Sequence, residues 1–171
     1  EWTTAELLNI KKVRVAMGVI GIIYEARPNV TVDAAVLALK AGSAILLRGS
    51  ASAYNSNMAL IDVMRQAITT VGLPSDAICY VEDSSHDTVD QMLKLRDYID
   101  LIVPRGGPSL INNAVLNATV PILETGIGNC HVYIDDSADY DMAEAIVLNA
   151  KTQRTGVCNA IETILINKKW A

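Results

Sequence analysis

This sequence predicts an α/β fold on a parallel, doubly wound sheet, and three observations carry that expectation. Apolar, β-rich runs alternate repeatedly with segments of helical period. The runs lack the apolar/polar alternation of a half-solvated strand, as expected where helices cover both faces of a sheet. The helical segments carry one apolar stripe each, such as Val32, Ala35, Val36 and Leu39, or Leu60, Ile61, Met64 and Ile68. Units of this kind, joined by short connections, assemble as parallel strands with right-handed crossovers.

The first strand is expected within residues 13–24, and Gly18 and Gly21 inside that run read as points of close packing. A helix over 32–41 follows. The second strand, 44–47, leads to a helix over 56–71. The third, 77–81, leads to a helix over 88–95, and the fourth, 99–103, to a helix over 109–118. Beyond them come short strands at 121–123 and 131–134. A helix over 139–150 should turn Met142, Ala143, Ile146 and Val147 inward, and a last strand spans 161–166.

Composition narrows the function classes. Half of the 171 residues are apolar, with few aromatics and no Phe, so the core is aliphatic. A net charge of −5 without any Lys/Arg run argues against a nucleic-acid or anionic-membrane surface. The longest apolar run, 15–23, is broken by glycines and falls short of the roughly 20 residues that a membrane span needs. The three cysteines, Cys79, Cys130 and Cys158, have no CxxC or Cys/His metal spacing. A reducing cytoplasm without disulfide, zinc or other metal is therefore expected. The chain starts at Glu1 without Met and stops just after a strand-like run, which suggests a piece of a longer protein.

In a doubly wound sheet, ligands collect outside the carboxyl ends of the strands. Arg48, Gly49 and Ser50 follow the second strand. A cation there suits the 2′-phosphate of NADP, while a solvated Arg beside a helix cap is an equal alternative. Arg105, Gly106, Gly107 and Pro108 follow the fourth strand. The glycines let backbone N–H groups approach an anion and Pro108 suits a first helical position, although an ordinary turn would look the same. Asn29 is either a helix cap, like Thr31, or a side-chain amide aimed at a developing oxyanion. Glu124 is a carboxylate base or a turn carboxylate.

Cys158 sits in a Gly-containing loop between a helix and a strand, where rigid neighbours can present a thiolate to a cleft. Cys79 and Cys130 read as core cysteines. Cys130 and His131 are adjacent on a strand and point to opposite faces, so they do not form a nucleophile/base pair. His86 reads as solvent-exposed.

Residues 18–35, Gly-Val-Ile-Gly-Ile-Ile-Tyr-Glu-Ala-Arg-Pro-Asn-Val-Thr-Val-Asp-Ala-Ala, resemble the γ-glutamyl phosphate reductases of the aldehyde dehydrogenase superfamily. The resemblance continues through 99–107, 128–135 and 157–163 and covers nearly the whole chain. It implies a Rossmann-like cofactor-binding domain, partial at 1–150, and the start of a catalytic domain at 151–171 that carries the cysteine loop.

It also implies that Cys158 is the nucleophile and Asn29 the oxyanion donor. Arg48, with Gly49 and Ser50, would meet the adenosine ribose, and Arg105, Gly106, Gly107 and Ser109 would form the cofactor-phosphate loop. Glu124 stands at the interval before the cysteine where aldehyde-oxidising relatives place a general base. Two departures stand out: Arg154-Thr155-Gly156-Val157-Cys158 replaces the more usual Arg-Pro-Ser-Val-Cys, and many reductases lack a carboxylate at the position of Glu124.

The activity so implied is NADPH-dependent reduction of L-glutamyl 5-phosphate to L-glutamate 5-semialdehyde and phosphate in proline biosynthesis. It runs through a cysteine thioester in a cytoplasmic enzyme that is homo-oligomeric at full length, and the fragment alone is expected to be inactive. Alternatives are a CoA-acylating or other aldehyde dehydrogenase, and a non-catalytic nucleotide-binding module.

Overall fold

The computed structural model describes residues 2–3, 9–124, 126 and 128–170. Its strands are β1 (Trp2–Thr3), β2 (Asn9–Ile10), β3 (Val19–Tyr24), β4 (Ala44–Arg48), β5 (Ile78–Tyr80), β6 (Leu101–Arg105), β7 (Cys130–Ile134) and β8 (Ile161–Ile166). Its helices are α1 (Pro28–Lys40), α2 (Tyr54–Thr70), α3 (His86–Met92), α4 (Pro108–Asn117) and α5 (Tyr140–Thr152). The chain divides into two compact units at Thr125/Gly126. No helix among the described residues is long and apolar enough to cross a membrane.

The first unit is the doubly wound sheet. Four parallel strands lie in the order β5-β4-β3-β6, so the chain moves outward from β3 to β5 and returns on the far side of β3 with β6. Successive residues of each strand face opposite layers, and both layers are apolar. Ile22, Tyr24, Ile45 and Leu47 pack with Ala35 and Ala38 of α1 and with Ile61 and Ile68 of α2. On the other face Ile23 and Ile102 pack with Val89 and Met92 of α3 and with Ala114 of α4. This two-sided burial is why the strand sequences do not alternate.

Local signals explain the ends of the elements. Pro28 and Pro108 each open a helix, where a missing N–H costs nothing. Gly42 and Gly72 take the left-handed conformation just after α1 and α2, with φ of 76° and 81°. The next residues, Ser43 and Leu73, donate back to Ala38 and Ile68, which closes the helix ends and returns the chain toward the sheet. Pro104 is tolerated because β6 is an edge strand. Ile102 sends its N–H outward to Pro121, so the position of equal parity at 104 owes no ladder bond to β3.

Several expectations change. Residues 13–17 are not strand: Val13, Val15 and Met17 are 70%, 79% and 51% exposed, and the strand begins only after Gly18. Gly18 takes a φ of 99°, which side chains rarely adopt, and a Cβ there would also overlap the Asp100 carboxylate, whose Oδ2 accepts from Val19 N–H at 2.7 Å, so backbone conformation as well as close packing calls for that glycine. Helix α1 starts four residues earlier than periodicity suggested, because Pro28 nucleates it. Residues 121–123 form a single parallel bridge, Ile102 to Ile122, in place of a strand.

The second unit pairs β7 and β8 in parallel, with Cys130 opposite Ile161, and packs α5 against β8. Lys151 Nζ donates to the Ile161 carbonyl at 3.0 Å. These contacts group 126–150 with the cysteine loop, whereas the reading by resemblance set the boundary at 150/151. On α5, Ala143 is buried and Val147 half-buried, but Met142 and Ile146 are exposed. Both line a shallow depression with Val132 and Ile134, because two strands and one helix cannot enclose the whole apolar face.

Candidate active site

In the first unit the strand order reverses between β3 and β6, so the crevice at their carboxyl ends is where a doubly wound sheet takes a ligand. The register carries β3 to Tyr24 opposite Arg105 at the end of β6. Glu25, the next residue, donates its N–H to the Arg105 carbonyl at 3.3 Å, and its Oε1 accepts from Gly107 N–H at 2.9 Å. The side chain just beyond β3 thus holds the turn that opens α4. Gly107 is the N-cap and Pro108 the first helical residue, as the sequence predicts. Arg105 and Ser109 are exposed, and Gly106 and Gly107 are half-buried. A phosphate at this turn would have to share the Gly107 N–H with the Glu25 carboxylate.

Asn29 lies in the first turn of α1, behind Arg27 and Pro28, so it is not the cap. Its amide is exposed and reaches only Asp33 Oδ2, at 3.5 Å, one turn along the helix. Thr31 is not a cap either. It is fully buried and takes part in a polar chain that joins four elements. Tyr24 hydroxyl lies 2.6 Å from Thr31 Oγ1, Thr31 Oγ1 donates to Asn57 Oδ1 at 3.0 Å, and Asn57 Nδ2 donates to Tyr80 hydroxyl at 3.2 Å. Burial pushes the Tyr24 phenol up to about 12, with the Thr31 hydrogen bond opposing and Tyr80 adding to the rise.

Arg48 ends β4 and is only 8% exposed, so the solvated reading of this residue does not hold. Its Nη2 donates to the carbonyls of Ser84 and Ser85, the second at 2.9 Å. Burial lowers its pKa, opposed by Tyr80 and by Asp83. Asp83 is held below the usual carboxylate range by its bond from Thr88, then by those from Ser85. Arg48 Nε is buried with no partner; among the described residues no other buried side-chain nitrogen or oxygen is in that state. A buried unpaired donor is costly, and a polar group of a ligand would relieve it. Gly49 is buried, and Ser50 Oγ accepts from Ser52 N–H at 3.4 Å to cap the short turn before α2. Glu124 is exposed.

In the second unit Cys158 lies in the loop between α5 and β8 and is exposed. The other two thiols have partners: Cys79 donates to the Asp76 carbonyl at 3.2 Å, and Cys130 to the Cys158 carbonyl at 3.3 Å. Both are half-buried, so neither is the core cysteine expected. The Cys158 carbonyl is also pressed by Gly128, where a Cβ would come within 2.5 Å of its oxygen. His131 Nδ1 lies 2.8 Å from the Asn129 carbonyl, and its ring belongs to that turn. Exposure, a loop position and a sulfur without a partner are what nucleophilic chemistry asks of a thiol.

Sequence reasoning missed Tyr24, Asn57, Tyr80, Glu25 and the Cys130–Cys158 contact. The one available signal was Asn57 itself, a polar residue on the inward side of a helix among Leu60, Ile61 and Met64.

The sequence profile of the aldehyde dehydrogenase family matches residues 5–171. The gamma-glutamyl phosphate reductase of Anoxybacillus flavithermus is 57% identical over 170 residues, which cover 99% of this chain and 41% of that protein. The enzyme of the same name from Halalkalibacterium halodurans is 58% identical over 172 residues, covering 100% of this chain and 41% of that protein. The crystal structure of gamma-glutamyl phosphate reductase from Thermotoga maritima superposes with a TM-score of 0.87 at 48% identity, over 98% of this chain and 41% of that one. The chain therefore spans well under half the length of the relatives it matches.

Proposed function

Because this chain belongs to the aldehyde dehydrogenase family, we propose that it is the cofactor-binding and nucleophile-bearing part of an NADPH-dependent reductase that converts L-glutamyl 5-phosphate to L-glutamate 5-semialdehyde and phosphate. The observation that carries the reading is Cys158, exposed on a loop with no hydrogen bond to its sulfur among the described residues, in a sequence so similar to gamma-glutamyl phosphate reductases.

In this reading the Cys158 thiolate attacks the acyl carbon, and phosphate leaves with the bonding electron pair. Asn29 and the backbone N–H of Cys158 hold the charge that develops on the carbonyl oxygen. Phosphate is a good leaving group, so this half needs no strong general acid. Glu124 has no required part in it. NADPH, when bound, supplies the hydride that reduces the thioester.

The residues present fit such a nucleotide. Arg48 keeps a buried unpaired donor, Gly49 and Ser50 sit beside it, and Arg105, Gly106, Gly107 and Ser109 surround a helix start that takes an anion once the Glu25 carboxylate yields the Gly107 N–H. Arg48 makes NADP the better match than NAD.

The test is the reverse reaction on the intact protein. NADP reduction with glutamate 5-semialdehyde should require inorganic phosphate and vanish in Cys158→Ala. A requirement for CoA in place of phosphate would point to a CoA-acylating enzyme instead, and a cellular activity unaffected by Cys158→Ser would point to a nucleotide-binding module.

A further inference from the structure

We propose that Asn57 and Tyr80 are positioning residues for the turn at 48–50, and through it for the adenosine end of the cofactor; the proposal rests on the cofactor reading of that turn. Asn57 is fully buried on the face of α2 that packs against the sheet, among Ile61 and Ile68, where an aliphatic side chain would cost far less. Such a residue is tolerated only when its amide is satisfied, and here it is satisfied on both sides. Thr31 donates to Oδ1, and Nδ2 donates to Tyr80.

Each hydroxyl has one hydrogen. Thr31 spends its own on Asn57, so Tyr24 must be the donor to Thr31, and the whole chain runs in one direction from β3 through α1 and α2 to β5. A fully satisfied buried network of this kind fixes one geometry.

The chain ends under Gly49. A Cβ at that position would overlap Asn57 Nδ2 and come within 2.9 Å of the Tyr80 oxygen and 3.1 Å of Tyr24 Cζ. The backbone between Arg48 and Ser50 therefore rests directly on the amide and the two phenols. The same Tyr80 phenol acts electrostatically on the Arg48 guanidinium. Four residues from four elements thus set the height and tilt of the one turn that holds the unpaired Arg48 Nε. General core stability does not require the network to end at a glycine turn beside that atom. A cofactor subsite that must be held rigid does.

The experiment is an NADP titration, with steady-state kinetics, of the intact protein at a temperature far below the melting point of every variant. Tyr80→Phe removes one oxygen and leaves the Asn57 amide without its acceptor, and Gly49→Ala pushes the turn off the amide. Both should weaken NADP binding about tenfold and raise KM for NADP far more than they lower kcat. Wild-type affinity in both variants, with only a lowered Tm, would overturn the proposal and leave the network as core structure. Asn57→Leu is the more drastic probe, and Tyr80→Phe keeps the test decisive should that protein fail to fold. Arg48→Met separates the two layers of argument. If it too leaves NADP affinity unchanged, the cofactor reading of the turn fails; if it weakens binding while Tyr80→Phe and Gly49→Ala do not, the positioning role alone fails.

Discussion

Residues of two kinds carry the chemistry proposed for this chain: those left exposed, and those buried within a hydrogen-bonded network. Asn29 and Cys158 are of the first kind. If the Asn29 amide holds the oxyanion, Asn29→Ala should cost about 10²–10³ in turnover while NADPH binding stays intact. Near-normal turnover in that variant would remove Asn29 from the mechanism. Tyr24 is of the second kind, with its phenol pushed from the usual 10 up to about 12. A group whose pKa is raised on folding contributes stability that is complete below its unfolded pKa and is lost as pH rises toward the folded one. Unfolding free energy should therefore fall between pH 10 and about 12, by up to about 2–3 kcal/mol, and Tyr24→Phe should remove that part of the dependence. Equal slopes for the two proteins in denaturant titrations across this range would contradict the assignment.

At the scale of elements, the notable device is how strands present loops. Parallel pairing brings the ends of β3 and β6 together at the crevice, and Glu25 latches one loop to the other. In the second unit the first residue of β7 and the segment before it do the same for the cysteine loop: Cys130 and Gly128 both bear on the Cys158 carbonyl. The peptide after the nucleophile is thereby fixed in orientation. Gly128→Ala must displace that carbonyl, because backbone rather than a flexible side chain occupies the space. The expected result is a changed rate of Cys158 alkylation, followed by peptide mass spectrometry, with Cys79 alkylated at its usual rate as the internal control. An unchanged Cys158 rate would mean that the loop tolerates the shift.

For the whole molecule, what could be read from the sequence depended on the range of the interactions. The strand and helix succession was legible because both faces of the sheet are covered, and continuous apolar runs with striped helices between them are the local imprint of that burial. Pro108 and the loop position of Cys158 were legible for similar local reasons. Residues 13–17 misled because Val13, Val15 and Met17 have strand character, yet they stay exposed and pair with no strand among the described residues. The polar chain from Tyr24 to Tyr80 was not legible, since its members are separated by 7, 26 and 23 positions and meet only through the register of three strands and the packing of two helices. Arg48 was placed correctly at a strand end, yet its burial follows from the carbonyls of Ser84 and Ser85, which no local pattern announces.

The central claim is that Cys158 carries the acyl group. The most direct test mixes the intact protein with glutamate 5-semialdehyde and NADP, withholds phosphate, and maps the adduct by peptide mass spectrometry. A hydroxylamine-labile glutamyl group on Cys158 that disappears when phosphate is added is the predicted result. NADP reduction before phosphate is added that leaves no adduct at Cys158, or leaves the adduct on another residue, would contradict it.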